Sequence, residues 1–434
     1  MSSIEKKMTS FLLIILLIII GSGAVYLQKS QQDVTLRIGV YAGSYWDTPN
    51  GDSYQILDEA IHRFEEANPQ VTVEYVSGIG TDDYSEWMAE QVIKGTEPDL
   101  YFVLPEDFDM LVSAGALTNL EHLMKADKGF DPSCYYEPCL KAGEYNGVQY
   151  AIPHESVPTI MFVNKTLLEE NGIAMPDDNW TWDEFYDICR AVTDVDEHRY
   201  GVYDYTWVNA LYANGTELFD RDGKACRLTD EKVQAAIRFV EKLDNLNEGY
   251  TVTSKDFDLG NVAFRPFLYS EYRAYQPYPW RVKKYTDFDW DGICMPAGES
   301  GDNVSELHTM LLGISARTAH QELAWEMAKM LSVDESVQKD LYSFSRGISP
   351  VKAVAEDDKI VEMLRNDIPG GNGFDEKTIH KIMSTAIVTP HFRGFNQAMS
   401  MAESAVAEEM SENTNDSETM LSVQREINQY LLSQ

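Results

Sequence analysis

Strand-like and helix-like patterns alternate in the segment 34–104, and this alternation limits the folds that the chain can adopt. Apolar runs at 34–41, 71–76 and 100–104 are typical of strands, and the residues between them repeat apolar side chains at spacings of three and four, as amphipathic helices do. This β-α-β-α-β order predicts a mostly parallel sheet with helices on both faces. Ligands of such sheets bind beyond the carboxyl ends of the strands, which here carry aromatic and acidic residues.

A polar cluster, Pro153-His154-Glu155-Ser156, separates two further apolar segments at 148–153 and 159–163. We expect one strand to end at this cluster and a second strand to begin after it. A helix should then begin at Asn164 and end near residues 171–172. His154 and Glu155 have two interpretations: a cap and a solvated carboxylate at a strand end, or side chains that line a site.

The size and charge of the chain restrict its organisation and its partners. With 434 residues and 44% hydrophobic content, it exceeds what one hydrophobic core usually holds, so we expect two lobes. The 71 Asp and Glu residues outnumber the 35 Lys and Arg residues, and the resulting net charge of -36 repels nucleic acids and anionic lipids. An acidic ligand would need a basic pocket. Arg265, Arg273 and Arg281 could form one, or they could neutralise an acidic surface.

The N-terminus has the pattern of an export segment. Two lysines precede the uncharged residues 11–27, and small residues at 22–24 provide a cleavage site. Residues 1–33 are therefore a signal peptide, cleaved after Ala24, or an uncleaved membrane anchor of marginal length. In both cases the remaining chain should lie outside the cytoplasm, because positive charge stays inside.

The five cysteines are too few for a disulfide scaffold. Cys134 and Cys139 either pair in an oxidising compartment or remain isolated thiols. Cys189, Cys226 and Cys294 lack the spacing of metal ligands.

Catalytic and cofactor motifs fail at their decisive positions. The segment GIGTDD places Asp83 at the last position of a dinucleotide-binding fingerprint, where a carboxylate would repel the pyrophosphate. The segment that begins at Asp287 starts like a calcium loop, but Gly298 occupies the twelfth position, which requires a bidentate Glu. We therefore expect no cofactor, no metal and no enzymatic activity.

The order of several segments resembles the extracellular solute-binding proteins of ABC importers, within the large carbohydrate-binding group that includes maltose-binding protein. These segments include GVQYAIPHESVPTIMFVNKTLL, NWTWDEFYDICRAVTD, GNVAFRPF and SRGISPVKAV. The resemblance implies an α/β fold of the two-lobed, type II periplasmic-binding-protein kind, with crossover strands between the lobes and a ligand cleft at the hinge. The expected N-terminal lobe comprises residues 34–156 and 306–345, and the expected C-terminal lobe comprises residues 157–305 and 346–434.

The same resemblance implies a sugar or oligosaccharide ligand, bound by lobe closure and delivered to the permease subunits of an ABC importer. Aromatic faces suit sugar rings, and carboxylates accept hydrogen bonds from hydroxyls. The expected ligand-binding residues are Trp46, Asp47, Glu106, Asp107, His154, Glu155, Tyr205, Trp207, Trp280, Arg281, Arg346 and Phe395. Among these, Trp46, Trp207 and Trp280 are the expected stacking residues. Packing is the expected role of Trp180, Trp182, Trp290 and Trp325.

Two other functions fit the sequence. A monomeric binding protein of this fold could instead report sugar to a membrane kinase, and an exported glycosidase or lyase could use Glu155 with Glu106 or Asp107. Genes for permeases or for a kinase beside this one would separate import from sensing.

Overall fold

One long strand, Ala151–Asn164, runs through the middle of the protein and is buried over its whole length. The computed structural model describes residues 33–43, 53–221, 223–275, 288–367, 375–390, 392–412 and 417–434. The strands are β1 (Val34–Gly39), β2 (Val71–Val76), β3 (Leu100–Val103), β4 (Glu144–Tyr145), β5 (Val148–Gln149), β6 (Ala151–Asn164), β7 (Tyr200–Val202), β8 (Val262–Leu268), β9 (Trp290–Ile293) and β10 (Leu307–Ile314).

β4 and β5 pair as a separate two-stranded sheet, and the other eight strands form a sheet with two regions that share β6. The order is β2-β1-β3-β10-β6-β8-β7, and β9 also pairs with β6. Residues 151–158 of β6 pair with β10, whereas residues 159–164 pair with β8 and β9, in each case antiparallel. In the first region β1, β2 and β3 are parallel, and in the second β7 and β8 are parallel. We call the elements packed on these two regions the first half and the second half.

The expectation of two strands separated by a polar cluster is wrong, because β6 continues through His154, Glu155 and Ser156. These polar side chains are accommodated inside the protein by hydrogen bonds. The Ser156 hydroxyl, for example, lies 3.0 Å from that of Thr309 on β10. The expected helix after Asn164 is confirmed, since the Asn164 side chain caps it by accepting from the Leu167 N–H.

Helices cover the sheet. They are α1 (Ser53–Ala67), α2 (Thr81–Lys94), α3 (Phe108–Ser113), α4 (Glu121–Ala126), α5 (Glu137–Lys141), α6 (Lys165–Glu170), α7 (Trp182–Val192), α8 (Trp207–Ala213), α9 (Glu231–Asp244), α10 (Ser254–Asp258), α11 (Tyr269–Ala274), α12 (Gln321–Val333), α13 (Glu335–Phe344), α14 (Lys352–Ala355), α15 (Asp358–Asp367), α16 (Glu376–Thr385), α17 (Phe395–Glu412) and α18 (Ser417–Leu432). Short 3-10 turns lie at Pro105–Asp107, Pro132–Cys134 and Asn245–Asn247.

Two hydrophobic clusters form the core. The first lies around β1, β3 and β10 with α1, α2, α12 and α13, and it extends to apolar residues of β8 and β9. The second is in the second half and includes α7, α8 and α9. The packing role expected of four tryptophans is confirmed by their burial: Trp180, Trp182, Trp290 and Trp325. The lobe boundaries stay a prediction, although β10 does return to the first half beside β3.

The described residues contain no helix with both the length and the apolar character that a membrane span requires. The segment 11–27, which prompted the export interpretation, lies outside them.

Candidate ligand-binding site

Glu155, in the middle of β6, lies at a junction between the two halves. Its carboxylate oxygen Oε1 accepts hydrogen bonds from the Gly347 N–H, at 2.7 Å, and from the Ser345 hydroxyl. Residues after β1, on α11, and at and beyond the end of α13 lie near it. We call this group the junction cluster, and its members are Tyr41, Glu155, Tyr269, Arg273, Tyr342, Ser345 and Gly347.

The electrostatics of the junction cluster keep Tyr41 and Tyr342 protonated. Burial is the main cause that raises the pKa of Tyr41, and the Glu155 charge adds to it. Burial likewise raises the pKa of Tyr342, with Tyr269 and Glu155 as further causes. Because these phenols keep their protons, they can donate hydrogen bonds, while Glu155 accepts them. This set of donors and acceptors suits a ligand with many hydroxyl groups.

Acidic and aromatic side chains surround Arg265, which lies in the middle of β8. Its guanidinium lies over the ring of Phe267, 4.2 Å from the centroid, and Nη2 is 3.8 Å from Asp204 and 3.9 Å from Glu271. Asp204 has a φ of 63°, which is uncommon for a residue other than glycine and is found at functional sites. Tyr41, after β1, and Tyr269, after β8, bring the carboxyl ends of strands from both halves to the junction cluster.

The predicted residues of the first half take different positions. Glu106 is exposed in the turn after β3, while Asp107 is buried and accepts from the Ser85 hydroxyl at 2.6 Å. Burial raises the pKa of Asp107. His154 packs inside the first half, with Nδ1 2.8 Å from the Leu331 carbonyl oxygen. Of the predicted residues described by the structure, Glu155 is thus the one at the centre of the junction.

The predicted residues of the second half are largely in its core. The Tyr205 hydroxyl accepts from Trp182 Nε1 at 3.1 Å, and Trp207 is 8% exposed in the same hydrophobic cluster. Phe395 packs edge-on against Phe219, with ring centroids 5.8 Å apart. The structure does not bring these three side chains into the junction cluster.

The remaining predicted residues belong to segments near the junction in sequence. Arg346 lies between two cluster members and is half-buried. Trp46, Asp47, Trp280 and Arg281 lie outside the described residues. Tyr269, Tyr342 and Ser345 were not predicted from the sequence as members of this cluster, because no local pattern marks residues at helix ends as neighbours of Glu155. Tyr41 could have been predicted as a site residue, since it ends the first predicted strand.

A family model for bacterial extracellular solute-binding proteins matches residues 59–365, which is more than half of the chain. The chain belongs to this family. A comparison with curated proteins gave no significant match.

Solved structures of other solute-binding proteins share the fold at low sequence identity. The sugar-binding protein MalE from Xanthomonas citri has a TM-score of 0.75 at 14% identity, covering 92% of this chain and 98% of that chain. The cyclic alpha-maltosyl-1,6-maltose binding protein from Arthrobacter globiformis has a TM-score of 0.74 at 14% identity, with coverage of 92% and 99%. An ABC substrate-binding protein from Listeria monocytogenes, in complex with cycloalternan, has a TM-score of 0.69 at 18% identity, with coverage of 92% and 99%. These similarities establish a two-lobed α/β fold.

The solute-binding protein also has a groove of about 1380 Å³ on the other face of β6. Glu155 and Ser156 are adjacent in the strand, so their side chains point to opposite faces. Ser156 contacts Thr309, which lines the groove. Segments from both halves complete its walls, at 105–114 and 137–147 on one side and 217–221 and 386–390 on the other.

Within the described part of the chain, no group of His, Cys, Asp and Glu residues is arranged to hold a metal ion. The calcium-like segment is described only from residue 288 onward. There Asp291 accepts from the Tyr272 hydroxyl at 3.2 Å and from the Gly292 N–H at 2.9 Å.

Proposed function

We propose that this solute-binding protein captures a sugar or oligosaccharide outside the cell by closure of its two halves, and that it delivers the ligand to the permease of an ABC importer. The observation that carries the proposal is the junction cluster, where a buried carboxylate and protonated tyrosines meet between the two halves. Family membership supports the extracellular location. The structural neighbours named above include proteins described as sugar-binding or in complex with a cyclic oligosaccharide.

The charges at the junction favour a neutral carbohydrate over a uronate. Arg273 donates to the backbone oxygens of Tyr342 and Ser345, at 2.8 and 3.3 Å. Arg265 is near the carboxylates of Asp204 and Glu271. Since Arg265 and Arg273 already have protein partners, a carboxylate ligand at either arginine would have to displace those partners.

The proposed contacts are hydrogen bonds to Glu155 and stacking on Trp46 and Trp280. Glu155 is buried at the junction. Glu106 is exposed and lines the groove on the other face of β6, so its binding role remains a prediction. Binding roles remain predictions for Asp47, Asp107, His154, Tyr205, Trp207, Arg281, Arg346 and Phe395. Like Glu155 itself, those among them that the structure buries have little surface to offer a ligand in this conformation.

A thermal-shift screen of neutral mono- and oligosaccharides and of uronates, followed by calorimetry, tests the proposal. We expect neutral sugars to raise the melting temperature, and Glu155→Gln to weaken their binding by about 10- to 100-fold, the value of a charged hydrogen bond in a site closed to water. Glu97→Gln is the matched control, because Glu97 is also buried but pairs with Arg317 within the first half. Its affinity should equal that of the parent.

Two results would contradict the proposal. If no carbohydrate shifts the melting temperature, the ligand class is wrong. If the bound sugar is recovered as a product, the protein is an enzyme. Transport by proteoliposomes that contain the neighbouring permease would distinguish import from sensing.

A further inference from the structure

Arg273 forms a direct contact between the two halves. It lies on α11, which follows β8 and packs on the second-half part of the sheet. Its Nη2 donates to the Tyr342 carbonyl oxygen at 2.8 Å, and its Nη1 donates to that of Ser345 at 3.3 Å. Both acceptors are at the end of α13, a helix that packs against α1 in the first half.

The chemistry of this contact makes it stronger than an ordinary surface hydrogen bond. The last four carbonyl groups of a helix lack partners within the helix, and the helix dipole gives this end a partial negative charge. A guanidinium there makes charge-assisted hydrogen bonds. The Arg273 side chain is half-buried, so bulk water competes less for these carbonyls than it would at an exposed helix end.

The segment that Arg273 binds is the one that binds Glu155. The Ser345 hydroxyl and the Gly347 N–H both donate to the Glu155 carboxylate. Gly347 leaves no room for adjustment, because a Cβ at this position would lie 2.4 Å from the Glu155 side chain. A movement of residues 342–347 would therefore displace Glu155 or break its hydrogen bonds.

We propose that Arg273 is a positioning residue that clamps the end of α13 to the second half and thereby sets the population of the conformation that binds ligand. The contact lies on the Glu155 face of β6, so separation of the halves on that face breaks it. The effect on affinity rests on the proposed carbohydrate function. The effect on conformation does not require a ligand.

Variants at position 273 test the clamp. Arg273→Met keeps an unbranched side chain but removes the donors, while Arg273→Lys keeps the charge. Arg317→Met is the control, since Arg317 also donates to a carbonyl at the end of a helix, that of Val92 at 2.9 Å, but within the first half. The measurements are small-angle X-ray scattering, amide hydrogen exchange of residues 342–347 and calorimetry with a sugar found by screening.

For Arg273→Met we expect a larger radius of gyration without ligand, faster exchange of the Gly347 amide and about tenfold weaker sugar binding. Arg273→Lys should recover part of each change. Arg317→Met should lower thermal stability, while its scattering and its hydrogen exchange at 342–347 should match those of the parent.

Unchanged scattering and hydrogen exchange in Arg273→Met would contradict the clamp proposal. Weaker binding without those changes would mean that Arg273 contacts the ligand itself. If no variant binds any sugar, the proposed function fails, and scattering and exchange still decide the clamp.

Discussion

The carboxylate of Glu155 and the backbone N–H of Gly347 are joined by a hydrogen bond of 2.7 Å between the centre of β6 and the segment that follows α13. Glu155 is 4% exposed, so its charge is held by protein donors rather than by water. A buried carboxylate costs free energy unless hydrogen bonds compensate for its lost hydration. The backbone at 345–347 is therefore part of the candidate site and not only a connection between helices.

Gly347→Ala should disturb this relationship directly. The added methyl would lie 2.4 Å from Glu155 Cγ and Oε1, and both residues are buried, so one of them must move. We expect the free energy of unfolding to fall by about 1 to 3 kcal/mol, as in other overpacked cores, and sugar affinity to fall as Glu155 shifts. Urea denaturation and calorimetry measure the two effects.

Gly80→Ala is the control for this experiment. Gly80 has a φ of -64° and no atom within 4 Å of an added Cβ, so alanine fits there without strain. If Gly347→Ala and Gly80→Ala have equal unfolding midpoints, the backbone at 345–347 can move without loss of stability. Glu155 would then not be tightly held.

Trp325→Ala should separate stability from binding. Trp325 is 3% exposed, packs edge-on against Phe130 and donates from Nε1 to Asp127 at 3.1 Å, all within the first half. We expect a loss of about 3 to 5 kcal/mol in the free energy of unfolding, typical of removing a buried aromatic side chain, with sugar affinity unchanged. Trp325→Phe keeps the ring and should lose less. If Trp325→Ala is fully folded but its sugar affinity differs tenfold from that of the parent, the packing role is contradicted.

Local patterns were sufficient to predict much of the sheet. The strand 71–76 was predicted at the bounds observed, because Val-Thr-Val-Glu-Tyr-Val alternates in and out of the core. The place of residues 306–345 in the N-terminal lobe was an expectation from the family resemblance, and β10 does lie beside β3 there.

The continuity of β6 and the make-up of the junction could not be predicted in the same way. Glu155 was read as a break in a strand because its partners, Ser345 and Gly347, are far along the chain. His154 was given a site role from its position near the hinge, yet its ring contacts Phe102 and the Leu331 carbonyl. For both Glu155 and His154, hydrogen bonds to residues distant in sequence make burial of the polar side chain favourable. A local sequence pattern does not show such partners.

The cysteines should remain thiols. All five are free in the structure, and burial raises the pKa of Cys134 to about 11 and that of Cys139 to about 12. Because the thiolate is the reactive form, alkylation at pH 8 should be slow for the native protein and rapid in urea. Mass spectrometry after alkylation in urea should show five labels without reductant. Three labels, rising to five with reductant, would instead indicate a disulfide.

Because of Asp109, the protein should lose stability as the pH rises from 4 toward 7. It lines the groove behind β6, and burial raises the pKa of its carboxyl from 3.8 to about 7. Between these values the folded protein keeps a proton that the unfolded chain has lost. The contribution to stability is therefore complete below pH 3.8 and is lost as the pH rises to about 7.

Asp109→Asn removes this titration, so the variant should gain stability over the parent as the pH rises, by about 2 to 4 kcal/mol at pH 7 and by little at pH 4. Asp131→Asn is the matched control, since it removes the same formal charge. The Asp131 carboxylate accepts from the N–H of Ser133, and hydrogen bonding to Ser133 lowers its pKa, so its contribution has the opposite sign: present above its ordinary pKa and lost in acid. Urea denaturation from pH 4 to pH 8 should show a difference that grows with pH for Asp109→Asn and a nearly constant difference for Asp131→Asn. A constant difference between Asp109→Asn and the parent across this range would mean that the carboxyl is ionised in the folded protein and hydrated at the groove surface.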